Sequence, residues 1–521
     1  MDGVLARGVK WEGSIIGDAA FDEDRSKQVL TFSFQGIFAK VLDYFLIPLF
    51  HERRFVSSVG RKIESKGVVI VILTAAFLFT FSQFLLITAY PTIMDEFDLN
   101  ATQVQWLTTA FLLTTIVLIP MTGYLSNTFS SRTLVVFSLS CLLVGTVIGG
   151  LAPNFGTLIS SRVVQAIGAG IILPLVQTIL LTVFPYERRG FAMGLLGAVV
   201  NVAPASAPSI SGMLLDVFNW RSLHWVLLPI VMVTLLLAIV VMKDVLEKQH
   251  AKLDLPSISL SAIGFSFFIF GLSNISVSGF LDLIVIVPIL IGVLFLFLFV
   301  RRQFALAVPV LNLRLFRHST FRLAMVLIFI NMMLLLSAET ILPMFAQDVL
   351  GTSAFFSGFI LVPGTILLSI MTIVSGNLYD RYGGKKIAVI GFAFTFVSLL
   401  LLSTVRMDSS PYWIMAHFCL FMIGFGLTLM PLVTVSMNAL DNGDIPHGSA
   451  IVNTVRQFGM TFGIIVLSTI ISITTSTMDT SYEVGTYWGT TYALIVMALL
   501  SLLALALTTF IRENKERSLL K

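Results

Sequence analysis

Glu339 stands in the run Leu334-Leu-Leu-Ser-Ala-Glu339-Thr-Ile-Leu-Pro343, which holds no other ionisable side chain. A charge at the centre of a bilayer costs about 2.5–3.5 kcal/mol on insertion scales, so an acid in such a run faces a cavity or a partner. Surroundings that exclude water favour the neutral form of a lone carboxyl, and proton exchange requires a group that gains and loses a proton near neutrality. Glu339 is therefore the candidate proton carrier. The competing reading puts it near the outer mouth of its helix, where it only solvates or caps. Arg162 lies in a second apolar run with Gln165 three positions on, on the same helical face. An unpartnered buried guanidinium is costly, so Arg162 is expected to turn inward toward carbonyls, water or a carboxyl, at the least as a hydrogen-bond hub. Arg456 with Gln457 follows the same logic, nearer the cytoplasmic end of its run. Pro204 and Pro208 are four apart, with Gly194, Gly197 and Gly212 around them. Proline breaks a helical hydrogen bond and small residues allow close helix approach, which suits a gating helix; a static kink is the plainer alternative.

These residues need membrane-crossing helices to position them. Of 521 residues, 57% are hydrophobic and 12% charged, with mean hydropathy +0.96. A soluble chain carries about 25% charged residues, so a soluble enzyme, a nucleic-acid binder and a disordered protein are excluded. Fourteen stretches are long and apolar enough to span: 67–90, 104–125, 133–151, 158–183, 190–214, 224–242, 257–275, 282–300, 322–345, 354–377, 387–405, 411–436, 448–474 and 487–511. Residues 1–66 form a charged cytoplasmic extension that is not a signal peptide; Gly36 to Phe50 is apolar enough to lie on a membrane surface but too short to cross it, and a poorly ordered segment is the alternative. Arg53, Arg54, Arg61, Lys62 and Lys66 precede the first span and set the N-terminus in the cytoplasm. Of the 32 Lys and Arg, only Arg221 and Arg406 then fall outside, and Arg162 and Arg456 within spans. Glu339 is the one acid in the interior of a span. His224 and His447, at span ends, are expected at the membrane interface rather than as pH sensors. Cys141 and Cys419 lie in apolar runs and read as packing residues.

Two loops share a pattern. Gly123-Tyr-Leu125-Ser-Asn127-Thr-Phe-Ser-Ser-Arg132 follows the second span, and Gly376-Asn-Leu378-Tyr-Asp380-Arg381-Tyr-Gly383-Gly384-Lys385 follows the tenth. Each succeeds the second helix of a six-helix group once spans seven and eight are set aside. The expected organisation is 67–242 as one bundle, 243–321 as two inserted helices with linkers, 322–511 as a second bundle, and 512–521 as a cytoplasmic tail. Parallel repeats about the membrane normal are the signature of a two-bundle transporter with its site at mid-membrane. Within each loop, glycine allows close approach, and a short polar side chain plus a cation can latch helix ends on the cytoplasmic face.

On these residues the chain resembles the fourteen-span drug:proton antiporters of the major facilitator superfamily, the EmrB/QacA type, over roughly 67–511. The two loops match the family's loop motif, with Gly123, Asn127 and Arg132 in one and Gly376, Asp380 and Arg381 in the other. Arg162-Val-Val-Gln165-Ala-Ile-Gly168-Ala-Gly170 matches its fourth-helix motif. Ala203-Pro204-Ala-Ser-Ala207-Pro208-Ser-Ile-Ser211-Gly212 resembles its fifth-helix antiporter motif, and Pro343, Gln347, Pro363 and Asn453-Thr-Val-Arg456-Gln457-Phe-Gly459 fit the second half. The chain departs from the pattern at Ser82, where an acid is usual, at Asn127 and Ser130 in the first loop, and at Ala207 and Ser211 in the fifth-helix motif. The resemblance implies an all-α integral membrane protein with the major facilitator fold, in a bacterial cell membrane with both termini cytoplasmic. It implies proton-driven efflux of lipophilic drugs or cations, antibiotics included, with Arg162 aiding proton transfer and Ser82, Gln165, Asn453, Arg456 and Gln457 supporting the pathway. Pro204, Pro208 and Gly212 carry over as the gating helix.

Gln83, Gln177, Asn201 and Asn331 either line that pathway or bond across helices. No metal-ligand cluster, nucleophile–base set or Gly-x4-Gly-Lys-Ser/Thr loop occurs in the sequence, so it is read as neither an enzyme nor an ATPase, with no cofactor beyond the proton gradient. The expected partners are a lipophilic small molecule, protons and lipid, and no nucleic acid. Two other readings stay open: an exporter of one endogenous metabolite, lipid or signalling molecule on the same fold, and a non-transporting receptor or scaffold working through residues 1–66.

Overall fold

In hydrocarbon each backbone polar group must be satisfied internally, which a single segment achieves only as a helix. The computed structural model describes residues 65–511 apart from 100, 105, 216, 247–253, 276–278, 280, 307–308, 353 and 479–480. The expectations for residues 1–64, including the surface helix and most of the basic cluster, and for the tail 512–521 lie outside the described residues. Fourteen long helices and no strand occur among those described: α1 Ser65–Leu85, α2 Trp106–Leu118, α3 Ser131–Gly150, α4 Phe155–Val183, α5 Arg189–Leu215, α6 Ser222–Val241, α7 Leu255–Ser273, α8 Leu283–Ala305, α9 Ser319–Asp348, α10 Val362–Tyr382, α11 Gly384–Ser403, α12 Pro411–Asn438, α13 Ile445–Thr477 and α14 Tyr482–Thr508. All but α5 fall in the thirteen stretches that are long and apolar enough to cross a membrane. α5 has 27 residues and includes Pro204 and Pro208 without interruption.

Local chemistry sets the helix ends. Ser130 and Asn154 accept the Thr133 and Thr157 amides and start α3 and α4, and Asp282 does so for α8 through the Ile284 amide. Proline occupies the first turn of α7, α10, α12 and α13, where its missing N–H costs nothing. Gly383, at φ 83°, stops α10 in a conformation that a side chain would strain.

The helices pack as two sets of six with a hairpin between. In the first set α4 packs on α3 and α2, α6 on α3, and α1 on α4, α5 and α6. In the second, α12 packs on α10 and α11, α14 on α11 and α13, and α9 on α12, α13 and α14. The hairpin α7–α8 touches both sets: Phe265 and Ile269 pack on Ile116 of α2, and Phe265 also lies 5.2 Å, ring to ring, from Phe458 of α13. Arg302 closes the hairpin by a two-toothed bond to Asp254 at 2.7 Å on each tooth. Facing Arg302 holds the Asp254 carboxyl down, to about 2, with Ser257 adding to the effect. At the face away from the loop motifs, Glu96 accepts from Trp220 Nε1 at 2.7 Å and from both ends of Arg221, tying the end of the first span to the α5–α6 loop.

Both histidines depart from expectation. His224 is buried against Gly149 of α3, and His447 is buried at a contact between the two sets. A polar side chain at a span end reaches the interface only where its helix end is free, and here both ends are covered by packing.

Candidate functional site

Arg162 is fully buried in the first set, and its neighbours explain why. The first span breaks after Leu85, turns through Ile87–Ala89 and resumes as a short helix Tyr90–Phe97. The last carbonyls of α1 therefore lack their own partners. Arg162 supplies two: Nη1 donates to Ser82 O and Nη2 to Gln83 O, each at 3.0 Å. Nη1 also donates to Gln165 Oε1 at 2.8 Å and Nε to Leu107 O at 3.4 Å. The guanidinium lies 4.6 Å from the centre of the Phe111 ring. A cation at a helix C-terminus is favoured by the helix dipole, and oxygen acceptors on several sides offset its desolvation. Gln165 completes the cluster by donating to Thr146 Oγ1 at 3.2 Å and accepting from Ser82 Oγ at 3.4 Å. Arg162, Gln165 and Ser82 are thus brought together. Among the described residues, Arg162's hydrogen-bond acceptors are all carbonyl or amide oxygens, with no carboxylate.

The two loop motifs each clasp the start of the other set's fifth helix. Asp380, at the end of α10, accepts from the Gly190 amide at 3.0 Å and the Phe191 amide at 2.9 Å, so a carboxylate from one set caps α5 of the other. Backbones approach closely there: a Cβ on Gly190 would lie 2.6 Å from Gly376 O, and one on Gly376 would lie 2.4 Å from Gly190 O. In the symmetry-related place Asn127 Nδ2 meets His447 Nε2 at 3.2 Å, and a Cβ on Gly123 would fall 2.7 Å from His447 Nδ1. Arg189 extends the contact to Asn438 and Asn442, at 3.1 and 3.3 Å, and Asn453 donates to Gln177 Oε1 at 3.1 Å. Gly190, Arg189 and His447 were not singled out for this role from sequence; Arg188-Arg189-Gly190 between two spans was the available signal. Arg132 turns instead to α6, donating to Ile239 O at 2.6 Å, and Arg381 is exposed.

Further along, α5 stays packed on α10 and α12. Gly194 abuts Thr372 O and Gly197 abuts Met430, but a Cβ on Gly212 would meet nothing within 4 Å. Pro204 is half-buried between these regimes. The sets are therefore joined at the motif-bearing face, while the other end of α5 packs on its own set's first span, where Thr88 donates to the buried Ser211, and leaves open space beside Gly212.

Glu339 is half-buried on α9, one turn before Pro343, and no hydrogen bond or ion pair to its carboxylate occurs among the described residues. Arg456 and Gln457 are half-buried on α13, and Arg456 Nε is buried without an acceptor among the described residues. Gly459 abuts Phe329 and Gly463 abuts Met333, so α9 and α13 run side by side in the same direction. In that register Glu339 and Arg456 stand about 20 Å apart along the helix axes. Of the remaining amides, Asn331 bonds Thr428 Oγ1 at 2.8 Å within the second set. Among the described residues no group of three or more His, Cys, Asp or Glu could hold a metal ion.

The chain is similar to known membrane transporters. The family model described as Major Facilitator Superfamily matches residues 72–464. An uncharacterised MFS-type transporter of Bacillus subtilis, YcnB, is 37% identical over 459 residues, 88% of this chain and 97% of that one. The lincomycin resistance protein LmrB of the same organism is 39% identical over 399 residues, covering 76% and 83% of the two chains. Among solved structures, the human organic anion transporter MFSD10 superposes with a TM-score of 0.61 at 14% identity, covering 86% of this chain and 100% of that one. The matched span, the level of identity and the shared helical architecture lead to one conclusion: this chain belongs to the major facilitator superfamily of membrane transporters.

Proposed function

We propose that this chain is a fourteen-span, proton-coupled exporter of lipophilic drugs and cations, working by alternating access of residues 67–242 against 322–511, with the motif-bearing face in the cytoplasm. The observation that carries the reading is the asymmetry of the contact between the sets. At one face Asp380, Asn127, Arg189 and Asn453 hold them together through one or two hydrogen bonds each, while beside Gly212, near the far end of α5, there is open space. Bonds of this kind contribute on the order of 1 kcal/mol each, so such a face can be undone and remade within a transport cycle. Glu339 is the one acid in the apolar run that precedes Pro343 of α9 and serves as the proton carrier: protonation from outside favours release of substrate outward, and loss of the proton inside resets the cycle. The lincomycin-resistance relatives, together with the multidrug resistance protein 3 of Bacillus subtilis at 25% identity, support drugs as cargo.

The test uses inside-out vesicles carrying the protein and an imposed pH gradient, acid within. Addition of lincomycin or a lipophilic cation is expected to collapse the gradient, and Glu339→Gln to abolish that collapse. Collapse by the variant at the wild-type rate removes Glu339 from the coupling role. A second reading, export of one endogenous metabolite, is favoured by Ser82, which carries no charge at the position where the resemblance implies an acid. A wild-type protein that answers none of the drugs but collapses the gradient with a cell extract would establish it.

A further inference from the structure

The loop that ends at Arg132 also borders a cleft that the transport reading does not use. The start of α3 and the end of α6 enclose about 730 Å³ at the motif-bearing face. Arg132 and Lys243 line it, together with the Asp244 carboxylate. Arg132 is pinned through its bond to Ile239 O, which takes one of its five donor hydrogens. Lys243 is exposed, and no acceptor for its ammonium occurs among the described residues. Asp244 is engaged with the helix start, where its Oδ1 accepts from Ser131 Oγ at 3.4 Å and the next amide, Val245 N, donates to Ser131 Oγ at 3.0 Å. The start of α3 adds the partial positive charge of a helix N-terminus.

The opposite wall is hydrocarbon. Phe137 and Ile239 line it, at 48% and 41% exposure. Beyond them the same apolar surface continues down α6 through Val240 and Leu236, 82% and 57% exposed. These side chains belong to membrane-crossing stretches, so their exposure is to lipid. The cleft therefore opens on water at its cationic end and on acyl chains at the other. A soluble anion would use only the first half. A molecule that fills both has a negatively charged oxygen cluster joined to long alkyl chains.

We propose that the cleft between α3 and α6 is a binding site for an anionic phospholipid of the adjacent leaflet, whose phosphodiester takes Arg132 and Lys243 while an acyl chain lies along Phe137 and Ile239. Among the described residues that line the cleft, two cations stand against one carboxylate, and one phosphodiester neutralises the single positive charge this leaves. A head group carrying its own ammonium brings a cation back to Arg132 and Lys243 and is disfavoured.

Native mass spectrometry of the detergent-purified full chain tests this with three probes: dioleoyl phosphatidylglycerol, dioleoyl phosphatidylcholine and water-soluble glycerol 1-phosphate. Phosphatidylglycerol is expected to be retained in preference to phosphatidylcholine, with glycerol 1-phosphate not retained at equal concentration. Lys243→Gln is expected to cut that retention about fivefold, in line with the worth of one Lys near a charged membrane surface, and Lys243→Arg to restore it. Equal retention of phosphatidylcholine, or retention by Lys243→Gln at the wild-type level, overturns the proposal. Retention of glycerol 1-phosphate as strongly as phosphatidylglycerol assigns the cleft to a soluble phosphate instead.

Discussion

Arg162 shows what a buried charge does when its partners are backbone. The guanidinium holds the carbonyls of Ser82 and Gln83 where the first span breaks, and the Leu107 carbonyl of α2 as well. Ser82, at a position where an acid would be unremarkable, instead offers its carbonyl to Arg162 and its hydroxyl to Gln165. Arg162→Ala strands several buried acceptors, each at about 1–3 kcal/mol, so the melting temperature in detergent is expected to fall by many degrees. Arg162→Lys keeps the charge but loses the fork, and is expected to recover only part of that fall. Equal melting of wild type and Arg162→Ala would show that the carbonyls find other donors.

At the scale of the element, α5 carries two kinds of glycine. Gly190 sits where α10 leaves no room for a Cβ, whereas Gly212 faces open space. Gly190→Ala is expected to push α5 from α10 and raise the reactivity of a cysteine placed nearby at that face toward a water-soluble maleimide. Gly212→Ala is expected to leave that reactivity unchanged and slightly raise stability, since alanine is the better helix former by about 1 kcal/mol. The hairpin α7–α8 makes a separate prediction through Asp254. A carboxyl held low in the folded protein stabilises it above the unfolded value of about 4 and ceases to do so as pH falls toward its folded value. The melting difference between wild type and Asp254→Asn is therefore expected to be constant from about pH 5 to 8 and to shrink on acidification below about pH 4. A difference that instead grows with acid would place the charge pair outside the hairpin's stability.

At the scale of the molecule, the two loop motifs are one device used twice. Each sends a short polar side chain across to the start of the partner set's fifth helix, Asp380 to backbone amides and Asn127 to His447. Removing both, as Asn127→Ala with Asp380→Ala, is expected to shift the population toward the state open at that face by about tenfold or more. Double-label distance measurements across that face read the shift directly; an unchanged distribution would assign the closure to packing at Gly190 and Gly376 alone.

The sequence by itself determined that this chain crosses a membrane many times, because so few charges cannot cover so much apolar surface in water. It also determined where most helices lie, since the apolar runs have no other way to satisfy their backbones. The repeated loop motif and the Arg162–Gln165 pair were legible as patterns, for glycine, a short polar residue and a cation at fixed spacing carry their chemistry locally. Their partners were not legible. That Asp380 caps a helix nearly two hundred residues earlier, that Asn127 meets a histidine, and that Arg162 serves the broken end of α1 without an acid are decided by contacts between distant segments. The burial of His224 and His447 is of the same kind. Hydropathy is a property of one segment and hydrogen bonding across a helix pair is a property of two, so only the packed structure could say which polar groups find each other.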